Sequence, residues 1–335
     1  MSRRIVIAGA SGFIGRHLAD AFRTEGATVS LVGRNGPDAR WGDTAAITAL
    51  LDGADLLVNL AGKSVNCRYT AANRAEILRS RIDTTRELAA AIEGCEAPPA
   101  LWLNSSTATI YRHAEDRPMT EAAGEIGTGF SVGIATAWER ELFAVDLPGT
   151  RRIALRMAIV LGAGGALVPL IRLARSGLGG AHLDGRWFAT KSRLRAGTFH
   201  APGARDGRQR FSWIHIDDVL RIIRFLEARP DIDGVINAAA PVPTDDRGMM
   251  RSLRTAVGVP FGLPMPRWML EFGSIAIRSE TELVLKSRWV IPERLLDAGY
   301  RFEHPALEPA LRRILRDRGH DRGKIPRLPG GSANS

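Results

Sequence analysis

The segment GASGFIG places glycines at positions 9, 12 and 15, a spacing suited to one piece of chemistry, the holding of a pyrophosphate. Glycine lets the chain turn tightly, lets backbone approach a phosphate closely, and lets a helix pack on a strand. The segment follows the apolar run Arg4–Ala8 and precedes residues at helical spacing, Phe13, Ile14, His17, Leu18, Ala21 and Phe22. Strand, glycine turn and helix in that order aim free backbone N–H groups and the positive end of a helix dipole at an anion. Gly9, Gly12 and Gly15 therefore predict dinucleotide binding. The next apolar run ends at Gly33-Arg34. An acid about 20 residues past such a loop would bond the ribose 2′-OH of NAD. Arg34 stands there instead, and a planar guanidinium suits a 2′-phosphate. NADP is the expected cofactor, ahead of NAD.

A loop of this kind needs a sheet to carry it. TVSLV, DLLVNLAG (Asp55–Gly62), ALWLNSS, RRIALRMAIVLG and GVINAAAP read as buried strands. NRAEILRSRIDTTRELAAAIEG, AWERELFAVD and HIDDVLRIIRFLEARP read as helices between them. Continuous apolar strands alternating with helices imply an α/β fold, a doubly wound parallel sheet of Rossmann type. From about Gly162 glycine and proline become frequent, and helices such as PRWMLEFGSIAI and ALEPALRRILRDRG alternate with loops. The expected organisation is a dinucleotide-binding domain over 1–165, completed by elements from about 211–241. A smaller C-terminal substrate lobe would occupy most of 166–320, and 321–335 would be a flexible tail.

The chain has 335 residues, 45% hydrophobic and 24% charged, enough for one large α/β domain or two lobes sharing a core. No apolar run reaches the roughly 18 residues of a membrane span. The start, MSRRIVIAGASG, lacks the apolar length of a secretory segment, so a cytoplasmic protein without a membrane partner is expected. Cys67 and Cys95 are far apart and form no C-x-x-C, which fits a reducing compartment and no structural metal. The net charge is +10, from 46 Lys+Arg against 36 Asp+Glu, and only four of those cations are lysines. The excess gathers in Lys191–Arg210 and in RRILRDRGHDRGKIPR rather than along one stripe. That distribution argues against nucleic acid as the partner and for an anionic small molecule. The oligomeric state is left open, a homodimer being one arrangement.

Taken together, GASGFIG, NLAG (Asn59–Gly62), SSTATIY (Ser105–Tyr111), LRMAIVLGAGG (Leu155–Gly165) and FSWIHIDDV (Phe211–Val219) resemble the extended short-chain dehydrogenase/reductase superfamily. They look most like its nucleoside-diphosphate-sugar-epimerase-like branch. PERLLDAGYRFEHPALEPALRRIL (Pro292–Leu315) resembles the C-terminal segment of unknown function in that branch. The resemblance spans nearly the whole chain. It implies that Gly9, Ser11, Gly12, Phe13, Ile14 and Gly15 wrap the pyrophosphate, and that Gly33 and Arg34 meet the 2′-phosphate. It implies that Leu60, Ala61 and Gly62 pass beside the adenosine, that Glu76 and Arg81 line the cofactor, and that Arg156 sits near the site at a strand end. For the small-molecule substrate the resemblance suggests a nucleotide-sugar; an apolar carbonyl or natural-product intermediate is equally open.

The superfamily's usual catalytic set is a Ser or Thr followed by Tyr-x-x-x-Lys. Thr107 matches the first member. Counting back from Glu139 by four and eight residues gives Ala135 and Ser131, where Lys and Tyr would stand. None of Tyr69, Tyr111 and Tyr300 is followed four residues later by Lys. Without that Lys a Tyr keeps a pKa near 10, so it donates a proton but is a poor base. Reduction is then the easier direction, and an epimerase cycle, which first oxidises, the harder. Tyr111 is the first candidate proton donor, in a loop after a strand end where α/β sheets place ligands. His113 is a further candidate shuttle. His215 reads as a packed or hydrogen-bonding residue, and Asp217 and Asp218 as helix caps. Roughly twenty extra residues, arginine-rich and near 182–205, separate GLGG from GRQRFSWIHI and read as a surface loop or a substrate lid. The expected function is an NADP-dependent oxidoreductase. A non-catalytic NADP-binding regulator is the alternative from another class, and a nucleotide-sugar epimerase or dehydratase is a third.

Overall fold

The protein is described from a computed structural model, which covers residues 2–204, 206–276 and 280–323. The tail expected from 321 lies, from 324 onward, outside the described residues. The first half builds β1 (Arg4–Ala8), α1 (Phe13–Thr24), β2 (Thr28–Gly33), β3 (Ala39–Arg40), α2 (Thr44–Leu51) and β4 (Leu56–Asn59). It continues with α3 (Ala71–Glu93), β5 (Leu101–Thr107), α4 (Phe130–Leu142), β6 (Arg151–Met157) and β7 (Ile159–Leu161). Then follow α5 (Leu167–Arg175), β8 (His182–Leu183), α6 (Lys191–Arg195), β9 (Arg210–Phe211), β10 (Trp213–His215), α7 (Ile216–Glu227) and β11 (Gly234–Ala238). The last part holds β12 (Thr244–Asp245), α8 (Asp246–Val257), β13 (Met265–Pro266), α9 (Arg267–Ala276), α10 (Glu282–Leu285), α11 (Glu293–Asp297) and α12 (Leu307–Gly323).

Seven parallel strands form the central sheet in the order β11-β6-β5-β4-β1-β2-β3. The order reverses between β1 and β4, and ligands of wound sheets bind beside such a reversal. Side chains alternate across the sheet, as strand geometry requires. Ile5 and Ile7 enter one core with Leu18, Phe22, Val219 and Ile223. Val6 and Ala8 enter the other with Ile47, Leu51, Leu88 and Trp102. A third core, with Leu161, Leu167, Ile171, Trp213, Met250, Leu253 and Leu311, holds α5, α8 and α12 together. Among the described residues no helix is long and apolar enough to cross a membrane.

Three local expectations change. The strand read over 151–162 breaks at Ala158, whose N–H donates to Ala238 O at 2.9 Å, and β7 leaves the central sheet to pair with β10. The helix read from Ala137 begins at Phe130, where Gly129, with φ of 100°, turns the chain into it. Asp218 is not a cap: its carboxylate accepts from the N–H groups of Glu303 and His304, each at 2.9 Å, and so faces the segment before α12. His215 caps α7 instead, its Nδ1 accepting from Asp217 N at 3.2 Å.

The arginine-rich insertion is not a loose surface loop. β8 pairs with β13, and Asp184 behind it is buried. Asp184 accepts from Arg267 Nη1 at 2.6 Å and from Gly203 N at 2.8 Å, and lies 3.0 Å from His200 Nε2. Arg267 also donates to Glu271 at 2.9 Å, and Arg193 of α6 reaches the same carboxylate at 3.1 Å. Buried charges are tolerated only when paired, and this chain of pairs pins the insertion onto α9.

Candidate functional site

The glycine loop is built by contacts that only glycine permits. Gly9 has φ of 81°, and its N–H donates to Val32 O on β2 at 2.9 Å. A Cβ on Gly9 would stand 2.7 Å from Ala61 N, so its absence lets the loop lie on the Leu60–Gly62 exit of β4. A Cβ on Gly15 would come within 2.5 Å of Ala10 Cα. Gly12 is different, because a Cβ there meets only Gly9 O, at 3.7 Å, and open space lies over it. No side chain caps α1 at this residue. Ser11 and Gly12 are exposed, the Gly12 N–H turns back to Gly9 O at 3.4 Å, and the uncapped first turn of α1 presents its N–H groups to an open space, which fits a pyrophosphate. The Phe13 ring packs under the turn after β7, where a Cβ on Gly162 would stand 2.6 Å from it. Ile14 packs on the central core.

Arg34 follows Gly33 at the end of β2 and is exposed. Its charge reaches Glu76 on α3. A hydrogen bond from Lys63 holds the Glu76 carboxyl below the usual carboxylate range, with the charges of Lys63, Arg79 and Arg34 adding to it. Lys63, on the exit of β4, pairs directly with Glu76. Arg81 serves the same exit from beneath, donating to Lys63 O at 3.1 Å and to Ile77 O at 2.9 Å. Its guanidinium lies 4.9 Å from the Trp138 ring centroid, and burial brings its pKa down to about 10.

β5 delivers Thr107 to the same edge of the sheet. Thr107 Oγ1 accepts from Thr109 N at 3.1 Å and shapes a short turn over Ala108–Ile110. Tyr111 closes that turn but is only 1% exposed. Its hydroxyl donates to Asn237 Oδ1 and accepts from Arg156 Nη1, each at 2.9 Å. Arg156 grips Glu139 of α4 through Nε and Nη2 at 2.8 and 2.7 Å, and Ser106 Oγ donates to Glu139 at 2.6 Å. The structure therefore brings Tyr111 and Arg156 to each other, inside a closed network. Burial raises the Tyr111 phenol pKa, against the pull of Arg156. His113 lies 2.7 Å from Glu115 and accepts from Ser287 N at 3.1 Å.

Residues from far along the chain fill the surroundings of Ser131 and Ala135. Ser131 Oγ donates to Glu282 Oε2 on α10 at 2.9 Å, and Ala135 is fully buried. Tyr69 packs edge-on against Phe130 with centroids 4.8 Å apart. Burial, with the Glu282 charge, pushes its phenol up to about 12. Lys286, just past α10, donates to Thr109 O at 2.7 Å, and Arg288 Nε donates to Thr109 Oγ1 at 3.0 Å. Sequence reasoning missed Lys63, Lys286 and Arg288.

Farther away, His215, Asp217 and His304 bring one donor atom each within 4.8 Å of one another. The His215 ring stacks on His304 at 3.9 Å, and burial, with the His304 charge, lowers its pKa to about 4. With its Nδ1 engaged in capping α7, this group ties that helix to the segment before α12.

Residues 5–239 match the NAD dependent epimerase/dehydratase family, and residues 265–314 match a domain of unknown function, DUF1731. The chain is 29% identical over 323 residues to epimerase family protein YfhF of Bacillus subtilis (strain 168), covering 94% of this chain and 98% of that one. It is 31% identical over 321 residues to epimerase family protein SDR39U1 of Bos taurus, covering 93% and 99%. The crystal structure of human SDR39U1 isoform 2 with NADPH is similar with a TM-score of 0.79 at 28% identity, over 94% of this chain and 99% of that one. Cradle, wound sheet and sequence agree: the chain belongs to the NAD dependent epimerase/dehydratase family and carries DUF1731 as its C-terminal part.

Proposed function

We propose that the protein binds NADPH and reduces a carbonyl group of a small molecule. The observation that carries this reading is the open, uncapped start of α1 at Gly12, on a sheet edge that also bears Arg34 and Thr107. The likeness to human SDR39U1, solved with NADPH, supports the same cofactor. When bound, the reduced nicotinamide supplies a hydride. The chain's own residues hold and orient. The Gly9–Gly15 backbone takes the pyrophosphate, Arg34 the 2′-phosphate, and the Leu60–Gly62 turn lies along the adenosine. Thr107 donates a hydrogen bond to the substrate oxygen and stabilises its developing charge. Tyr111 and Arg156 act from behind, fixing the turn that carries Thr107.

The tyrosines support reduction. Burial raises the pKa of Tyr69, Tyr111 and Tyr300 alike, so none is set up as a base. An epimerase cycle that begins by oxidising an alcohol would draw on a tyrosine base in the usual set, whereas reduction draws on a proton donor. A reducing cytoplasm suits the two free cysteines, Cys67 and Cys95. A second reading, an NADPH-binding regulator without turnover, is favoured by Ser131 and Ala135 standing where Tyr and Lys would be.

One experiment separates these readings. NADPH and NADH are titrated by fluorescence, and then a panel of aldehydes, ketones and keto-sugar nucleotides is followed by NADPH absorbance. Preference for NADPH with turnover of any carbonyl supports the proposal. Tight NADPH binding with silence across the panel favours the regulator.

A further inference from the structure

Lys286 belongs to the C-terminal part of the chain, yet its ammonium lies against the turn that carries Thr107. The segment bearing it is fixed on both sides. Ser287 Oγ donates to Ala114 O at 2.6 Å, Met119 N to Trp289 O at 2.7 Å, and Arg288 N to Arg210 O at 2.8 Å. Lys286 is 7% exposed, and among the described residues its Nζ has one acceptor, Thr109 O. Two N–H groups of a buried ammonium are thus left to be met, and leaving them unmet is costly. Arg288 beside it is engaged with Thr109 Oγ1, Leu283 O and Lys286 O. Ser131 is also covered from α10, because Glu282, one turn before Lys286, takes its hydroxyl. This short helix therefore covers Ser131, and Lys286 just past it sets its ammonium on Thr109 O, two residues after Thr107.

We propose that Lys286 is a catalytic residue, holding the substrate carbonyl oxygen together with Thr107 and giving it the proton that reduction requires. The inference rests on the reading that a carbonyl is reduced at this site. The carbonyl carbon takes the hydride of the reduced nicotinamide, and the π pair of C=O forms the new O–H bond to the Lys286 proton. The N–H pair stays on Nζ as the neutral amine, and water returns the proton. The charged groups that act on Lys286 are Arg288 on its own segment and Glu282 on α10; beyond them Tyr69 faces Arg288, and the His113–Glu115 pair after β5 meets Ser287 N. Burial, then the Arg288 charge, lowers the Lys286 pKa to about 8, with Glu282 opposing. An acid of that strength is well matched to work near neutrality.

The test reads Lys286 directly. Protein labelled with [15N]lysine has four Nζ signals, and Lys286→Arg assigns the one that matters. The expected result is a titration near pH 8 and a shifted signal on adding NADP+. Titration near 10, the ordinary lysine value, or no response to NADP+, overturns the inference whether or not a substrate is known. With a carbonyl that the protein reduces, Lys286→Met should lose about 10²–10⁴ in kcat while keeping its NADPH Kd. Wild-type kcat/KM should fall tenfold per pH unit above about 8, and that fall should vanish in Lys286→Arg. A Lys286→Met kcat within about threefold of wild type would also overturn it. A panel with no reduced carbonyl counts against the proposed function, and the 15N titration still decides on Lys286.

Discussion

The Tyr111 hydroxyl sits between Arg156 Nη1 and Asn237 Oδ1, 2.9 Å from each. Both sides of the oxygen are occupied, and the residue is buried, so the group is placed to hold structure rather than to meet substrate. Tyr111→Phe removes the oxygen with little change of shape. It leaves Arg156 and Asn237 each short of a partner, at a cost of about 1–3 kcal/mol in urea unfolding. Turnover of a reducible carbonyl should stay within about threefold. A loss of about 10²–10⁴ in a folded variant would return Tyr111 to the chemistry.

Two glycines of one loop should fail in different ways. Gly12→Val places a branched side chain in open space, so the fold should survive while NADPH binding is lost. Gly9→Ala puts a Cβ 2.7 Å from Ala61 N at a residue whose φ is 81°, so stability should fall by about 1–3 kcal/mol. Thermal unfolding and cofactor titration separate the two outcomes. A folded Gly12→Val variant that binds NADPH normally would refute the placement of the pyrophosphate.

Arg34→Ala should weaken NADPH by about 1.5–3 kcal/mol and leave NADH nearly unchanged, because only the 2′-phosphate makes the charge-assisted contact. Calorimetry with both cofactors measures the difference. Equal affinities in the wild type would remove Arg34 from cofactor choice.

What the sequence revealed was mostly local. A glycine triplet between an apolar run and a helical one is legible because backbone approach is a property of those few residues. Arg34 stands out as a candidate because it lies at a fixed distance from that triplet. The start of α4 was missed because Phe130–Ala135 carries no side-chain cap or acidic first turn. Asp218 looked like a cap because an acid beside a helix start reads the same whether it faces the helix or, as here, the loop at Glu303 and His304. Lys286 and Arg288 were invisible for a stronger reason. Their partner Thr109 lies in a distant part of the chain, and only the folded C-terminal segment brings them together.

The insertion offers the last test, because Asp184 is its buried anchor. Burial alone would raise the pKa of this carboxyl, but hydrogen bonds from His200 and from the N–H groups of Gly203 and Gly185, with the His200 charge, bring it down to about 2. A folded-state pKa below the unfolded one means that the anchor contributes stability above about 4, and that this contribution fades as pH falls through about 2. Asp184→Asn removes one of the two carboxylates that Arg267 meets, the other being Glu271, so at pH 7 the variant should be less stable by about 1–3 kcal/mol. The gap between wild type and variant, read from urea midpoints at pH 7, 4, 3 and 2, should then narrow across the lowest two steps as the wild type loses the same charge. Other carboxylates titrate in both proteins and cancel in the difference. A gap that stays constant from pH 7 to pH 2 would show that the Asp184 pKa is the same in the folded and unfolded chain, and that this network does not stabilise its charge.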